Sequence, residues 1–232
     1  MSDILMIVTG ADTLTLADGT PHPTGFWAEE LVTAHRDLVA AGHSVTIATP
    51  GGVTPTVDPG SIDPAAVGDE KAADFRAYLE QIAPELGSAT PVADVDASRY
   101  AAVVLPGGHG PMADLAFDAA TGRTLIAANR AGAIIAPFCH GPAALLSARD
   151  ADGAFEFAGR RLTVFTDVEE RTGGTGELTP WFVEQRLREA GAVIDSADPW
   201  ADHVVVDGNL ITGQNPQSSE SVARAVLAAL AG

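Results

Sequence analysis

The chain has 232 residues, 46% of them hydrophobic and 19% charged. That is enough apolar chain for one substantial core and too apolar a balance for disorder. Its 13 Lys and Arg against 31 Asp and Glu give a formal charge of −18, a field that repels phosphate backbones and anionic lipid and excludes nucleic acid and membrane surfaces as expected partners. A single cysteine, Cys139, excludes an intramolecular disulfide. The opening MSDILMIVTG lacks the basic segment and the long apolar stretch of a signal peptide, so a cytoplasmic location is expected.

In chain order, Ile4 to Thr9 is a short apolar run that ends at Gly10 and predicts a strand. Residues 11–23 are polar and turn-rich. Gly25 to Ala41 carries Phe26, Leu31, His35, Leu38 and Val39 at near-helical spacing, with Gly42 as a stop. His43 to Thr49 reads as the next strand. This is a βαβ unit, and it implies a parallel sheet. Residues 54–90 break the rhythm: they are rich in Pro, Asp, Ala and Gly, with one helical piece at Asp74 to Ile82. The stretch is too short for its own core and reads as an excursion over the sheet within a single domain spanning 1–232.

The rhythm returns with a strand at Tyr100 to Leu105, a helix at Arg123 to Ala131 and a strand at Ala133 to Phe138. A helix is expected from Pro142 to Arg149, a strand at Leu162 to Phe165, a helix at Pro180 to Ala190 and a short strand at Val193 and Ile194. Val204–Val206 and Leu210–Thr212 flank Asp207-Gly208-Asn209 as a hairpin with a three-residue turn. Ser218 to Leu230 closes the chain as a helix. The strands are continuous apolar runs rather than alternations, which predicts an α/β fold with a parallel sheet covered by helices on both faces and a short hairpin near the C-terminus.

Two segments carry chemistry. In residues 131–146, AGAIIAPFCHGPAALL, an apolar strand runs into Cys139, and Pro142 stands where a proline opens a helix without cost. A thiol on such a strand-to-helix turn is exposed at the sheet's C-terminal edge, and the helix N-terminus is expected to lower its pKa. The second segment is Val103-Val104-Leu105-Pro106-Gly107-Gly108-His109-Gly110, a strand ending in a glycine-rich turn. Gly107 and Gly108, with the backbone N–H of His140, are candidates for an oxyanion hole. The turn lacks the Gly-Lys-Ser/Thr ending of a phosphate loop and the spacing of a dinucleotide fingerprint. His109 reads as a solvated or hydrogen-bonded histidine. No metal site is expected, because the histidines fall into no ligand spacing. Trp27, Trp181 and Trp200 read as packing residues.

Taken together, these blocks resemble the ThiJ/PfpI superfamily, with its class I glutamine amidotransferase-like, flavodoxin-like sandwich. The resemblance rests on Thr24-Gly25-Phe26-Trp27-Ala28-Glu29-Glu30, Pro106-Gly107-Gly108-His109-Gly110 and Cys139-His140-Gly141-Pro142-Ala143. Phe165-Thr166-Asp167-Val168-Glu169-Glu170, Asp198-Pro199-Trp200 and Thr212-Gly213-Gln214-Asn215-Pro216 also match. Within that superfamily the chain is similar to the cofactor-free glyoxalase III and stress-chaperone branch. The resemblance implies that Cys139 is the nucleophile, Glu30 the catalytic carboxylate and His140 a proton carrier. It also points to Glu170 as the acid that orients His140, with Asp167 and Glu169 close by. Glu29 reads as a surface residue.

The implied activity is conversion of methylglyoxal to lactate without glutathione, metal or other cofactor, on a small aldehyde substrate. The implied assembly is a homodimer. A holdase chaperone and a protein deglycase are the alternatives within the superfamily. A glutamine amidotransferase subunit would need a late His-x-Glu pair, and the sequence has none.

Overall fold

The structure, a computed structural model, describes residues 1–232. In chain order the elements are β1 (Asp3–Ile7), β2 (Thr13–Thr15), β3 (Pro21–Pro23), α1 (Ala28–Ala40) and β4 (Ser44–Thr49). Then come α2 (Pro64–Val67), α3 (Asp69–Gln81), α4 (Ala83–Leu86), β5 (Thr90–Pro91), β6 (Ala102–Leu105), α5 (Gly110–Ala113), α6 (Ala119–Arg130) and β7 (Ile134–Pro137). The last third holds β8 (Arg161–Leu162), α7 (Asp167–Gly173), α8 (Val183–Glu189), β9 (Val193–Ile194), β10 (Val204–Asp207), β11 (Leu210–Gly213) and α9 (Ser219–Ala231).

Seven strands form the central sheet in the order β10-β11-β7-β6-β1-β4-β5. All neighbours are parallel except the β10–β11 hairpin. The parallel α/β sheet expected from the sequence is therefore present, and the side-chain alternation explains why its strands read as unbroken apolar runs. Leu5, Ile7, Val103, Leu105 and Ile135 enter one core with α6 and α8. Ile4, Met6, Ala102, Val104, Ile134 and Ala136 enter the other with α1 and α9. Both faces of β6 and β7, and of β1 after Asp3, are buried, so these strands read as unbroken apolar runs.

Several elements differ from expectation for identifiable reasons. The helix expected from Gly25 starts at Ala28, because Phe26 is held extended by Thr56 and Asp58 (Phe26 N–H to Thr56 O, 2.9 Å; Asp58 N–H to Phe26 O, 2.9 Å). The polar 11–23 stretch folds back as the β2–β3 pair. The expected strand Leu162–Phe165 shortens to β8, which pairs with β9 outside the central sheet. The residues after β8 turn into α7, which a Thr166–Glu169 capping box starts. The hairpin turn has two residues rather than three, since Asp207 already pairs with Leu210. The helix expected from Pro142 is a 3₁₀ segment, Gly141–Ser147.

The excursion contains α2, α3 and α4 and returns as edge strand β5. Its Ile82, Leu86 and Ala89 enter the core that α1 also covers. No helix is long and apolar enough to cross a membrane.

Candidate active site

Three chain segments meet at the C-terminal edge of adjacent strands. Cys139 follows β7, Gly107 and Gly108 follow β6, and Glu30 is in the first turn of α1, which follows β1 and the β2–β3 hairpin. Because β7 pairs with β6 and β6 with β1, the topology alone brings them together.

Cys139 has φ +56, a left-handed conformation that costs a non-glycine residue roughly 1–2 kcal/mol. Its neighbours hold it there: its N–H donates to Gly213 O at 2.9 Å, and its carbonyl accepts from Phe165 N–H at 2.9 Å. The glycine turn must approach very closely. A Cβ on Gly107 would lie 2.6 Å from His140 N, and one on Gly108, at φ +88, would run into the backbone at Gly25 and Trp27. Only glycines let the two turns touch, and the contact sets the N–H groups of Gly108 and His140 on the Cys139 sulfur.

Glu30 is fully buried. Its Oε2 accepts from Gly107 N–H at 2.5 Å, while Oε1 has no hydrogen-bond partner. Burial pushes its pKa up to about 8, against the opposing pull of the Gly107 N–H and the Cys139 thiol. The thiol is raised as well, first by burial and then by the charge of Glu30, and the N–H groups of Gly108 and His140 only partly offset this. This corrects the expectation of a lowered thiol pKa. The segment behind Cys139 is a short 3₁₀ turn with little aligned dipole, and the sulfur is enclosed. Glu29, by contrast, lies outside the site and pairs with Lys71 at 2.7 Å.

On the other side of the sulfur, His140 Nδ1 lies 3.4 Å from Cys139 Sγ, and His140 Nε2 lies 2.7 Å from Glu170 Oε2. Of the three acids near the end of β8, Glu170 is therefore the one that meets His140. Glu169 instead caps α7 and accepts from Trp200 N–H, and Asp167 faces Glu184. Burial alone would raise Glu170, but the hydrogen bonds from His109 and His140 outweigh it and hold the carboxyl well below the usual carboxylate range. Thr175 adds a backbone N–H at 2.6 Å and a hydroxyl at 2.9 Å to Oε1. An ionised Glu170 accepts a hydrogen bond from His140 Nε2–H, which leaves Nδ1 bare toward the sulfur. Burial and the neighbouring His109 lower the His140 pKa, so the ring stays neutral.

His109, expected as a solvated or hydrogen-bonded histidine, is hydrogen-bonded. It is buried, with Nε2 3.1 Å from Glu170 Oε1 and its ring 4.4 Å from that of His140. Its place in the glycine turn, at the same sheet edge as Cys139, was the available signal. One ligand atom each from His109, His140 and Glu170 lie within 4.8 Å of one another, a grouping no sequence spacing announced. Both imidazoles meet Glu170 at ordinary hydrogen-bond distances, so the carboxylate is already satisfied by N–H donors.

A cavity of about 50 Å³ lies over the sulfur, lined by Trp27, His109, His140, Phe165 and Trp200 among others. That is room for a few water-sized groups. Trp27 and Trp200, read from the sequence as packing, are thus cavity walls, and the Trp27 indole N–H is buried without a partner.

The chain matches the DJ-1/PfpI family over residues 23–229. It is 28% identical over 215 residues to the glutathione-independent glyoxalase hsp3102 of Schizosaccharomyces pombe, covering 89% of each chain. It is 32% identical over 186 residues to the glutamine amidotransferase-like class 1 domain-containing protein 1 of Bos taurus, covering 78% of each. The rapid encystment protein of 24 kDa from Francisella tularensis has a similar structure, with a TM-score of 0.87, 30% identity and 99% of each chain covered.

Proposed function

The chain belongs to the DJ-1/PfpI family, and on that premise we propose that it converts methylglyoxal and similar small 2-oxoaldehydes to 2-hydroxyacids without glutathione. One observation carries the reading: a single enclosed thiol has a proton-exchanging carboxyl on one side and an oriented, neutral imidazole on the other. The similarity to a glutathione-independent glyoxalase supports it.

The raised thiol pKa means that sulfur does not attack as a free thiolate. The Cys139 proton passes to His140 Nδ1 as the C–S bond forms at the aldehyde carbon. The oxygen that gains charge receives N–H bonds from Gly108 and His140 and then the proton, giving a hemithioacetal. Ionised Glu30 removes the hydrogen on C1, and the electron pair shifts through an enediol. The C1 hydroxyl proton passes to the C2 oxygen, and protonated Glu30 returns the abstracted hydrogen to C2, leaving a thioester of the 2-hydroxyacid. Water cleaves the thioester, releases lactate and restores the thiol. The proton transfer is internal, so the sequence of steps balances with water alone as co-reactant.

A cavity of this size favours a free aldehyde over an adduct carried on another protein's side chain. The test is Cys139→Ala, which is expected to remove at least ~99% of lactate formation from methylglyoxal while circular dichroism stays unchanged. Appreciable residual turnover in the folded variant overturns the mechanism.

A further inference from the structure

Only two residues other than glycine have a positive φ, Cys139 at +56 and Trp200 at +65, and both line the same cavity. A left-handed tryptophan costs roughly 1–2 kcal/mol and persists only where its surroundings fix it. The surroundings do so here. The Trp200 N–H donates to Glu169 Oε1 at 2.7 Å. That buried carboxylate is itself held by Thr166, by Asn215 Nδ2 at 2.8 Å and by Gln214 Nε2 at 3.2 Å. The loop before Trp200 is tied down by Ala197 N–H to Gln214 Oε1 at 2.8 Å.

The indole is placed as firmly as its backbone. It meets the Phe165 ring edge-on at 5.5 Å. On its other side it fills the space left by the missing side chain of Gly173, where a Cβ would come within 2.5 Å of Cζ2. Phe165 in turn packs on the His140 ring at 4.4 Å. Trp200 lines the cavity and is still 39% exposed. A large apolar ring held half in water by a strained backbone and a dedicated carboxylate contributes little to the core.

We infer that Trp200 sets the size limit of the site: it restricts access to Cys139 to small aliphatic 2-oxoaldehydes and excludes aryl and branched ones. The substrate class in this inference rests on the proposed function, whereas the restriction on access to the thiol does not. Trp200→Gly removes the ring and relieves the backbone, because glycine adopts φ +65 freely and keeps the N–H to Glu169. Trp200→Phe restores a smaller ring.

Two readouts test the inference. The first is the alkylation rate of Cys139, the only thiol, by iodoacetamide and by the bulkier N-phenylmaleimide. The second is turnover of methylglyoxal to lactate and of phenylglyoxal to mandelate. Trp200→Gly is expected to raise the bulky-to-small ratio at least tenfold in both readouts, within the range by which apolar pockets discriminate, ~10–200-fold. Trp200→Phe is expected to fall between it and the wild type. A Trp200→Gly alkylation ratio within twofold of wild type overturns the gate. If none of the proteins turns over either aldehyde while the alkylation ratio shifts as expected, the proposed function fails and the size limit stands.

Discussion

Glu30 makes the stability of this protein depend on pH in a way that one substitution isolates. The carboxyl titrates near its ordinary 4.5 when unfolded and at about 8 when folded, because burial disfavours its charge. Below pH 4.5 both states hold the proton, and the folded state suffers no penalty. Between pH 4.5 and 8 the unfolded chain releases the proton while the folded chain keeps it, so stability falls by about 1.4 kcal/mol per pH unit. Above pH 8 the loss is complete and of order 5 kcal/mol. Glu30→Gln keeps the shape: its amide oxygen still accepts from Gly107 N–H, and its NH₂ stands where the acid proton stood. The variant lacks the titration. Urea unfolding of both proteins at several pH values from 5 to 8.5 is therefore expected to show near-equal stability at pH 5 and a gap that widens toward about 5 kcal/mol in favour of Gln, equivalent to roughly 10–20 °C in Tm for a chain of this size. Titrating groups other than Cys139, whose thiol faces Glu30, are common to both proteins and cancel in the difference. A difference that stays flat between pH 5 and 8.5, or a Gln variant less stable at pH 8, refutes the assignment of a buried, proton-holding Glu30.

The same carboxyl governs the rate profile. Glu30 must be ionised to take the C1 hydrogen, so kcat/KM for methylglyoxal should rise toward a plateau above about pH 8, and a flat profile between pH 6 and 8 contradicts its role as base. Glu170→Gln removes the charge that fixes the His140 tautomer and should lower turnover about 10²-fold, whereas Glu29→Gln, which breaks only a partly exposed pair with Lys71, should stay within twofold of wild type. Prolonged EDTA treatment should leave turnover unchanged. Loss of activity that zinc restores would reassign His109, His140 and Glu170 as metal ligands.

Much of the fold was legible because the strands that build the centre are buried on both faces. Val103, Val104 and Leu105 alternate between two cores, so no polar residue interrupts the run, and the same holds for Ile4 to Val8. The helix faces of α1 and α9 were legible from apolar spacing for the same reason. What was lost is what carries no period. β9 forms at Val193–Ile194 as expected, but β8 keeps only two residues of the expected strand, too few for any alternation, and the pairing of the two outside the central sheet carries no signal in the sequence. The start of α7 was written in the chain as Thr166-Asp167-Val168-Glu169, a capping-box pattern. The strand-like run Leu162–Phe165 before it masked that signal. The late start of α1 was not legible, because it depends on Phe26 bridging to Val57, thirty-one residues away.

The site shows a sharper limit. Sequence order places Cys139, the glycine turn and Glu30 at one sheet edge, and chain connectivity puts His140 beside the thiol. It says nothing of how many donors each acid receives, and that number decides the chemistry. Glu30 and Glu170 are both buried acids, yet they shift in opposite directions. Glu170 collects His109, His140, the Thr175 N–H and the Thr175 hydroxyl, and these donors outweigh the cost of enclosing its charge. Glu30 collects one backbone N–H and the Cys139 thiol, and its Oε1 goes unpaired, so burial wins and it holds its proton near neutrality. One acid is thereby a fixed anion that can orient a histidine, and the other can give and take a proton within a turnover. Burial also explains why the thiol pKa is raised rather than lowered: the dipole of a short 3₁₀ turn and two N–H groups do not offset the enclosure of the sulfur beside a carboxyl. The proposed mechanism therefore needs a neutral His140 with a bare Nδ1 at the sulfur, to take the thiol proton as the C–S bond forms.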